Sequence, residues 1–306
     1  MSVWYVEESK EQNKFIKKVK QILNIIEIKN KDGKVFCSLP INEKTKDKKV
    51  IAVAKKLNNE LYKNSIEQVV LSNEFENLEV LKNELYFENV NILDGRILFQ
   101  YLTLDIIEYI YSSQDKIVEE GQISILVNDN TELNLENIID IAKRLKRLNI
   151  VTNNIQKFKK IEEYLYNEFG IMIRVSNNQK KDLLNSDIVI NIDFPKEILK
   201  KYQLPNKCVL LNINEEYEIK SKKFNGININ YYSINIPKDY KVENFRNELI
   251  YESFVYNKPI EEVKKILSKD KITINNLIGK NGVINKNEFI ELNTWQNSNT
   301  NVRLRN

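Results

Sequence analysis

From residue 122 onward the chain alternates short apolar runs with amphipathic stretches. QISILVN, LNIVTN, IMIRVSN, DIVINI and KCVLLNI read as strands. Between them the spacing predicts helices near 132–147, 155–169 and 179–185, with a helical turn near 195–201. Continuous apolar strands separated by helices imply right-handed βαβ units and a mostly parallel sheet covered on both faces. NINYYSINI (228–236) is expected to close that sheet.

The first ninety or so residues carry a different rhythm. VWYVEE (3–8) has strand character, and FIKKVKQIL (15–23) sets Phe15, Ile16, Val19, Ile22 and Leu23 on one helical face. IIEIKNKDGKVFCSL (25–39) reads as a hairpin about Asp32-Gly33. A helix around 50–63, the strand EQVVLS, a helix around 74–85 and the strand NVNIL complete a small mixed α/β unit. RILFQYLTLDIIEYIYSS (96–113) is apolar almost all the way round, which predicts a helix buried on several sides and bridging two domains. Beyond 238 the pattern predicts helices at 239–257 and 259–268, a hairpin across Gly279 to Gly282 and a loose polar tail after Trp295.

Composition narrows the chemistry. None of the 306 residues is histidine, which removes the commonest acid, base and metal ligand; only 7 are glycine, where phosphate-cradling loops need several. Lys+Arg 47 against Asp+Glu 43 leaves +4 with the charges interspersed, so neither a nucleic-acid nor a membrane footprint is expected. No apolar run approaches the roughly 18 residues of a membrane span, and the acidic first segment is unlike a secretory signal, so a cytoplasmic protein is expected. Cys37 and Cys208 are too far apart in sequence for a CxxC or zinc pattern and are expected as reduced core residues; no metal site is predicted.

LNIVTNNIQKFKKIEEYLYNEFG (148–170) is similar to the second strand, Asn-Arg-Thr turn and following helix of the shikimate dehydrogenase and glutamyl-tRNA reductase group. LLNSDIVINIDFP (183–195) resembles the group's Ala-Asp-Ile-Val-Ile-Asn stretch. The resemblance covers about a quarter of the chain. It implies an α/β fold: a Rossmann-like doubly wound parallel sheet with a smaller N-terminal α/β domain and a helical C-terminal return. The pattern along the chain itself divides it into 1–95, an N-terminal α/β domain, a linking helix at 96–120, the Rossmann-like domain at 121–238, and C-terminal helices, hairpin and tail at 239–306, a layout that also fits the group. The resemblance also implies an NAD(P)-binding domain, which the residues depart from. The turn after the first strand, VNDNTELN (127–134), has no glycine, and Asp129 and Glu132 add negative charge where a pyrophosphate would sit. The family's arginine for a 2′-phosphate is Asn154 here, leaving Lys157 as the one substitute, and CSLPINEK (37–44) does not reproduce the catalytic-lysine motif.

What remains is a rim of amides. Asn128 and Asn130, Asn153 and Asn154, Asn177 and Asn178, Asn191 with Asp193, and Asn212 with Asn214 all fall at predicted strand ends, where an open parallel sheet gathers its ligands. The alternative is that asparagine simply suits turns in an asparagine-rich chain. Asp94 and Arg96 are expected to contribute to a cleft between the N-terminal domain and that rim, or else to form a turn and helix start. GKNG (279–282) lacks the phosphate-loop spacing, and Tyr101, Tyr109 and Tyr111 read as packing groups. The leading expectation is a non-catalytic pseudoenzyme that binds a small polar ligand or a partner protein, with no cofactor predicted. The alternative is a divergent NADP-dependent oxidoreductase; an S-adenosylmethionine-dependent methyltransferase meets the same shortage of glycine.

Overall fold

A computed structural model describes residues 3–11, 13–145, 147–219 and 224–292. The polar tail after Trp295 lies outside the described residues. The chain forms two compact units, residues 1–95 with 236–271 and residues 96–235 with 272–306.

In the first unit, strand β1 (Val3–Glu8) is followed by α1 (Lys14–Leu23), β2 (Glu27–Lys31), β3 (Lys34–Leu39), α2 (Asp47–Lys63), β4 (Gln68–Leu71), α3 (Glu79–Phe87) and β5 (Asn91–Ile92). The sheet order is β2-β3-β1-β4-β5, parallel except for β2. The β2–β3 hairpin turns through Asp32 (φ 52°) and Gly33 (φ 75°), the positive φ pair that a two-residue turn requires. One face of the sheet packs Trp4, Val6, Val69 and Leu71 against Val53, Leu57 and Leu61 of α2 and Leu81 and Leu85 of α3. On the other, Tyr5 stacks on Phe36 at 5.4 Å and meets Phe245 edge-on at 5.8 Å.

The second unit opens with α4 (Arg96–Tyr101) and α5 (Thr103–Ser113). The single helix expected over 96–113 is therefore two, divided at Leu102. There follow β6 (Gln122–Leu126), α6 (Glu132–Arg144), β7 (Arg147–Val151), α7 (Ile155–Phe169), β8 (Arg174–Ser176), β9 (Ile188–Asn191), α8 (Lys196–Leu199), β10 (Val209–Asn212) and β11 (Ile227–Ile229). All six strands are parallel, in the order β11-β10-β9-β6-β7-β8. Numbered from β6, this is 3-2-1-4-5-6, the Rossmann order, with the switch point between β6 and β9. The 179–185 segment is a series of turns and not a helix.

The strand registers give the sheet two unlike faces. Ile123, Ile125, Leu148, Ile150, Ile188, Ile190, Val209, Leu211, Ile227 and Ile229 share one, and right-handed crossovers place α6 and α7 over it. Ser124, Leu126, Asn149, Val151, Val189, Asn191, Leu210, Asn212 and Asn228 share the other. There Leu126, Val151, Val189 and Leu210 pack against Leu183, Phe194, Leu199, Tyr202 and Tyr217.

The expected closing strand 228–236 is divided at Asn230. Its first part is β11; its second, β12 (Tyr231–Asn235), pairs antiparallel with β13 (Thr273–Gly279) in a separate sheet completed by β14 (Gly282–Val283). Between them, α9 (Asn247–Val255) and α10 (Ile260–Asp270) lie in the first unit, and α9 starts later than the pattern suggests because 238–246 is a short 3-10 turn and loop. No described helix is long and apolar enough to cross a membrane.

Candidate functional site at the carboxyl edge of the six-stranded sheet

The loops after β6 and β9 flank the switch point, so their backbone groups define what this edge can hold. The carboxylate of Asp193, two residues beyond β9, accepts the backbone N–H of Asn128 at 2.7 Å through Oδ1 and that of Asp129 at 2.8 Å through Oδ2. Two amides of the first βα loop thus point at an anion that belongs to the chain itself. Burial pushes the Asp193 carboxyl above the ordinary range; the two amides and Lys157 oppose that shift, and Asp129 adds to it.

The rest of the loop is also committed. Thr131 caps α6 by accepting the N–H of Asn134 at 3.2 Å, and the Asn134 side chain donates to the Asp129 carbonyl at 2.7 Å. Gln100 of α4 donates to Asn134 Oδ1, and the Gln100 carbonyl accepts from Asn137 at 2.8 Å. A pyrophosphate bound in the usual manner would need the amides that Asp193 occupies and would meet Asp129 beside it. The residues present do not fit that group in that place.

The predicted rim residues are linked to one another. Asn128 is half-buried and its Oδ1 accepts the Asn153 amide at 2.9 Å, while Asn154 Nδ2 reaches the Asn128 carbonyl at 3.4 Å. Asn177 donates to Asn153 Oδ1 at 3.4 Å and accepts from the Tyr202 hydroxyl. Asn153, Asn154 and Asn177 are exposed; Asn191 is buried, its side chain bonded to both the N–H and the carbonyl of Phe194 at 3.0 and 3.1 Å. Asn178 accepts the amides of Lys180 and Lys181, and Asn130 is exposed. Asn212 is fully buried, donating to Asn228 and Asn230 at 2.8 and 2.9 Å, and its Oδ1 has no hydrogen-bond partner among the described residues.

Asp94 is exposed and belongs to the first unit; Arg96 belongs to the second. Arg96 Nη1 donates to the carbonyls of Asn212, Ile213 and Asn230 at 3.3, 3.0 and 2.7 Å, and its guanidinium lies over the rings of Tyr231 and Phe99 at 5.3 and 5.9 Å. It ties α4 to the ends of β10 and β11. Tyr111 packs fully buried in the second unit, and its hydroxyl, expected to be satisfied at the surface, is buried with no hydrogen-bond partner among the described residues. Further along the sheet, the second unit carries a groove of about 1240 Å³ lined by Lys196, Tyr202, Tyr217, Phe224, Tyr231 and Lys280, which the alternation of strands and helices gave no means of locating.

No family model matches the chain, and no curated protein matches its sequence. Solved structures similar to it include L-tryptophan dehydrogenase from Nostoc punctiforme, at 11% identity and a TM-score of 0.31, covering 72% of this chain and 66% of that one. The Δ1-pyrroline-2-carboxylate reductase of Thermococcus litoralis, in complex with NADH and L-proline, has 11% identity and a TM-score of 0.26, over 38% of this chain and 36% of that one. A shikimate dehydrogenase in complex with NADP+ has 13% identity and a TM-score of 0.33, over 88% and 96%. The chain thus spans 66% and 36% of the lengths of the first two. The Rossmann order of the sheet is read from its own strand pairing and not from these likenesses.

Proposed function

We propose that this chain is a Rossmann-type binding module, acting on a small polar ligand or a partner protein, in which the first βα loop does not hold a dinucleotide. The observation that carries the reading is the Asp193 carboxylate on the amides of Asn128 and Asp129. A fixed carboxylate with two charge-assisted hydrogen bonds competes with any phosphate for the same donors and repels it. The half-buried Asn128 and the exposed Asn153, Asn154 and Asn177 suit a neutral polar ligand, since amides both donate and accept, whereas Asn191 is buried on the Phe194 backbone and is set aside from the rim. Calorimetric titration with NAD+, NADH, NADP+ and NADPH is the test. No heat of binding at micromolar concentrations is expected, and a micromolar Kd for any of the four would overturn the reading.

A second reading, a divergent NADP-dependent oxidoreductase of the shikimate dehydrogenase kind, draws support from the strand order and from Lys157 near the start of α7, 3.7 Å from Asp129. In this reading Lys157 would meet the 2′-phosphate in place of the group's arginine. Without histidine, proton transfer in such an enzyme would fall to Asp, Glu, Lys, Tyr or Cys. NADP+ binding that Lys157→Ala weakens, with NAD+ binding unchanged, would favour it.

A further inference from the structure

Helix α1 is docked inside out. Its sequence, KFIKKVKQIL, separates Phe15, Ile16, Val19, Ile22 and Leu23 from Lys14, Lys17, Lys18, Lys20 and Gln21, and such a helix ordinarily buries the first set. Here no residue of α1 is buried. Phe15 is 76%, Ile22 69% and Leu23 57% exposed, while Lys17, Lys20 and Gln21 on the polar side are half-buried, and of the apolar set Val19 alone is half-buried. The attachment to the first unit is ionic: Lys20 pairs with Glu11 at 2.7 Å and Glu27 at 2.5 Å, and Lys17 with Glu8 at 3.6 Å. Asn13 caps the helix start, and Lys56 of α2 donates to the carbonyls of Leu23 and Asn24 at its end, so the C-terminus of α1 is tied to α2. The exposed Ile25 and Ile28 add to the apolar surface just past its C-terminus.

The charge around this surface identifies what covers it. Residues 1–63 hold fifteen lysines and eight acidic residues, whereas the whole chain is nearly balanced at +4. Helix α1 contains four lysines and no acid; Lys14 and Lys18 are exposed, as are Lys29 and Lys31 on β2 beside Ile28. A second copy of the chain would bring like charges together across the apolar contact. An anionic bilayer would accept the apolar face into its headgroup region and attract the lysines. We propose that α1 is an interfacial helix by which the chain lies on anionic lipid surfaces, apolar face inward and the rest of the first unit behind it. The +4 of the whole chain conceals this because residues beyond 63 carry a slight acidic excess.

Co-sedimentation of the full chain with vesicles tests the assignment. Vesicles of phosphatidylcholine and phosphatidylglycerol in equal parts should pellet the protein, vesicles of phosphatidylcholine alone should pellet several-fold less, and raised salt should weaken the first. The double variant Phe15→Ser/Ile22→Ser should reduce binding about tenfold or more with the melting temperature unchanged, because both side chains are already in water. Lys14→Gln/Lys18→Gln should erase the preference for the anionic lipid. Absence of pelleting, or pelleting insensitive to the Phe15 and Ile22 changes, would overturn the proposal. So would a dimer in sedimentation velocity that the Phe15→Ser/Ile22→Ser variant dissolves, since the face would then be covered by a second copy. Neither result depends on whether the six-stranded sheet binds a dinucleotide.

Discussion

Asp193 Oδ1 lies 2.7 Å from the backbone nitrogen of Asn128, which places a carboxylate of the chain on the loop that follows the first strand of a Rossmann sheet. With Oδ2 on the Asp129 amide at 2.8 Å, the side chain bridges the two loops that flank the switch point. Replacing Asp193 with alanine removes both acceptors and leaves two donors to be satisfied by water. A loss of about 1–3 kcal/mol in stability is expected from urea unfolding, with Asp193→Asn intermediate because one amide oxygen remains.

The rim asparagines should separate in their cost. Asn128 is half-buried and accepts the Asn153 amide at 2.9 Å, so Asn128→Ala should destabilise by about 1 kcal/mol. Asn153 is exposed and among the described residues its side chain accepts a single long bond, from Asn177 at 3.4 Å, so Asn153→Ala should stay within about 0.5 kcal/mol. Equal losses in the two variants, measured by the same unfolding curves, would contradict this account of the rim.

Gly121 is required by proximity. A Cβ there would lie 2.2 Å from Tyr111 Oη and 2.4 Å from Cζ, and the Tyr111 ring is fully buried with nowhere to move. Gly121→Ala should therefore cost about 2–4 kcal/mol, read as a lower urea midpoint.

Glu248 on α9 is 3% exposed, and burial raises its carboxyl above the ordinary range, Arg246 only partly offsetting it. A raised folded value means that its favourable contribution is complete below the unfolded carboxylate range and is lost as pH rises through the folded value. Glu248→Gln, which stays neutral, should gain on the wild type as pH rises from the acid range to neutrality. Melting curves of the pair across that interval give the test, and a difference that shrinks with rising pH would count against it.

Both thiols should be inert in the folded chain. Cys37 and Cys208 are fully buried, and burial pushes Cys37 up to about 12 and Cys208 higher still. A thiol reagent added to native protein should label neither, and both once urea is present.

Much of this architecture is legible in the residues. Helix α7 spans Ile155–Phe169 as its apolar spacing indicates, ended by Gly170 at φ 66°, and the Asp32-Gly33 turn follows from its dipeptide. What escapes sequence reading has a physical cause in each instance. Residues 228–236 look like one strand, but β12 leaves the parallel sheet to pair with β13, some forty residues further on. The apolar face of α1 is plain from its period, yet a period does not say which side packs, and three ion pairs hold Lys17 and Lys20 inward. At the candidate site the missing glycines in 127–134 were visible, whereas the identity of the group that satisfies the loop amides was not. Asp193 is separated from them by 65 residues and reaches them only because β9 is the neighbour of β6. The amides of Asn128 and Asp129 lie at a half-buried and an exposed position, where water satisfies a donor as readily as a carboxylate, so the loop residues gave no signal of their acceptor.

The two unlike faces of the six-stranded sheet bear on how the chain reaches a single native pairing. Successive side chains in a strand alternate between faces, so sliding β7, β9, β10 or β11 by one residue would turn Asn149, Asn191, Asn212 or Asn228 into the aliphatic layer on the opposite face, with no partner for its amide. A wholly aliphatic sheet would tolerate such slips at little cost. The asparagines therefore serve as a proofreading pattern for strand alignment, one that acts during folding whether or not any ligand ever touches the rim.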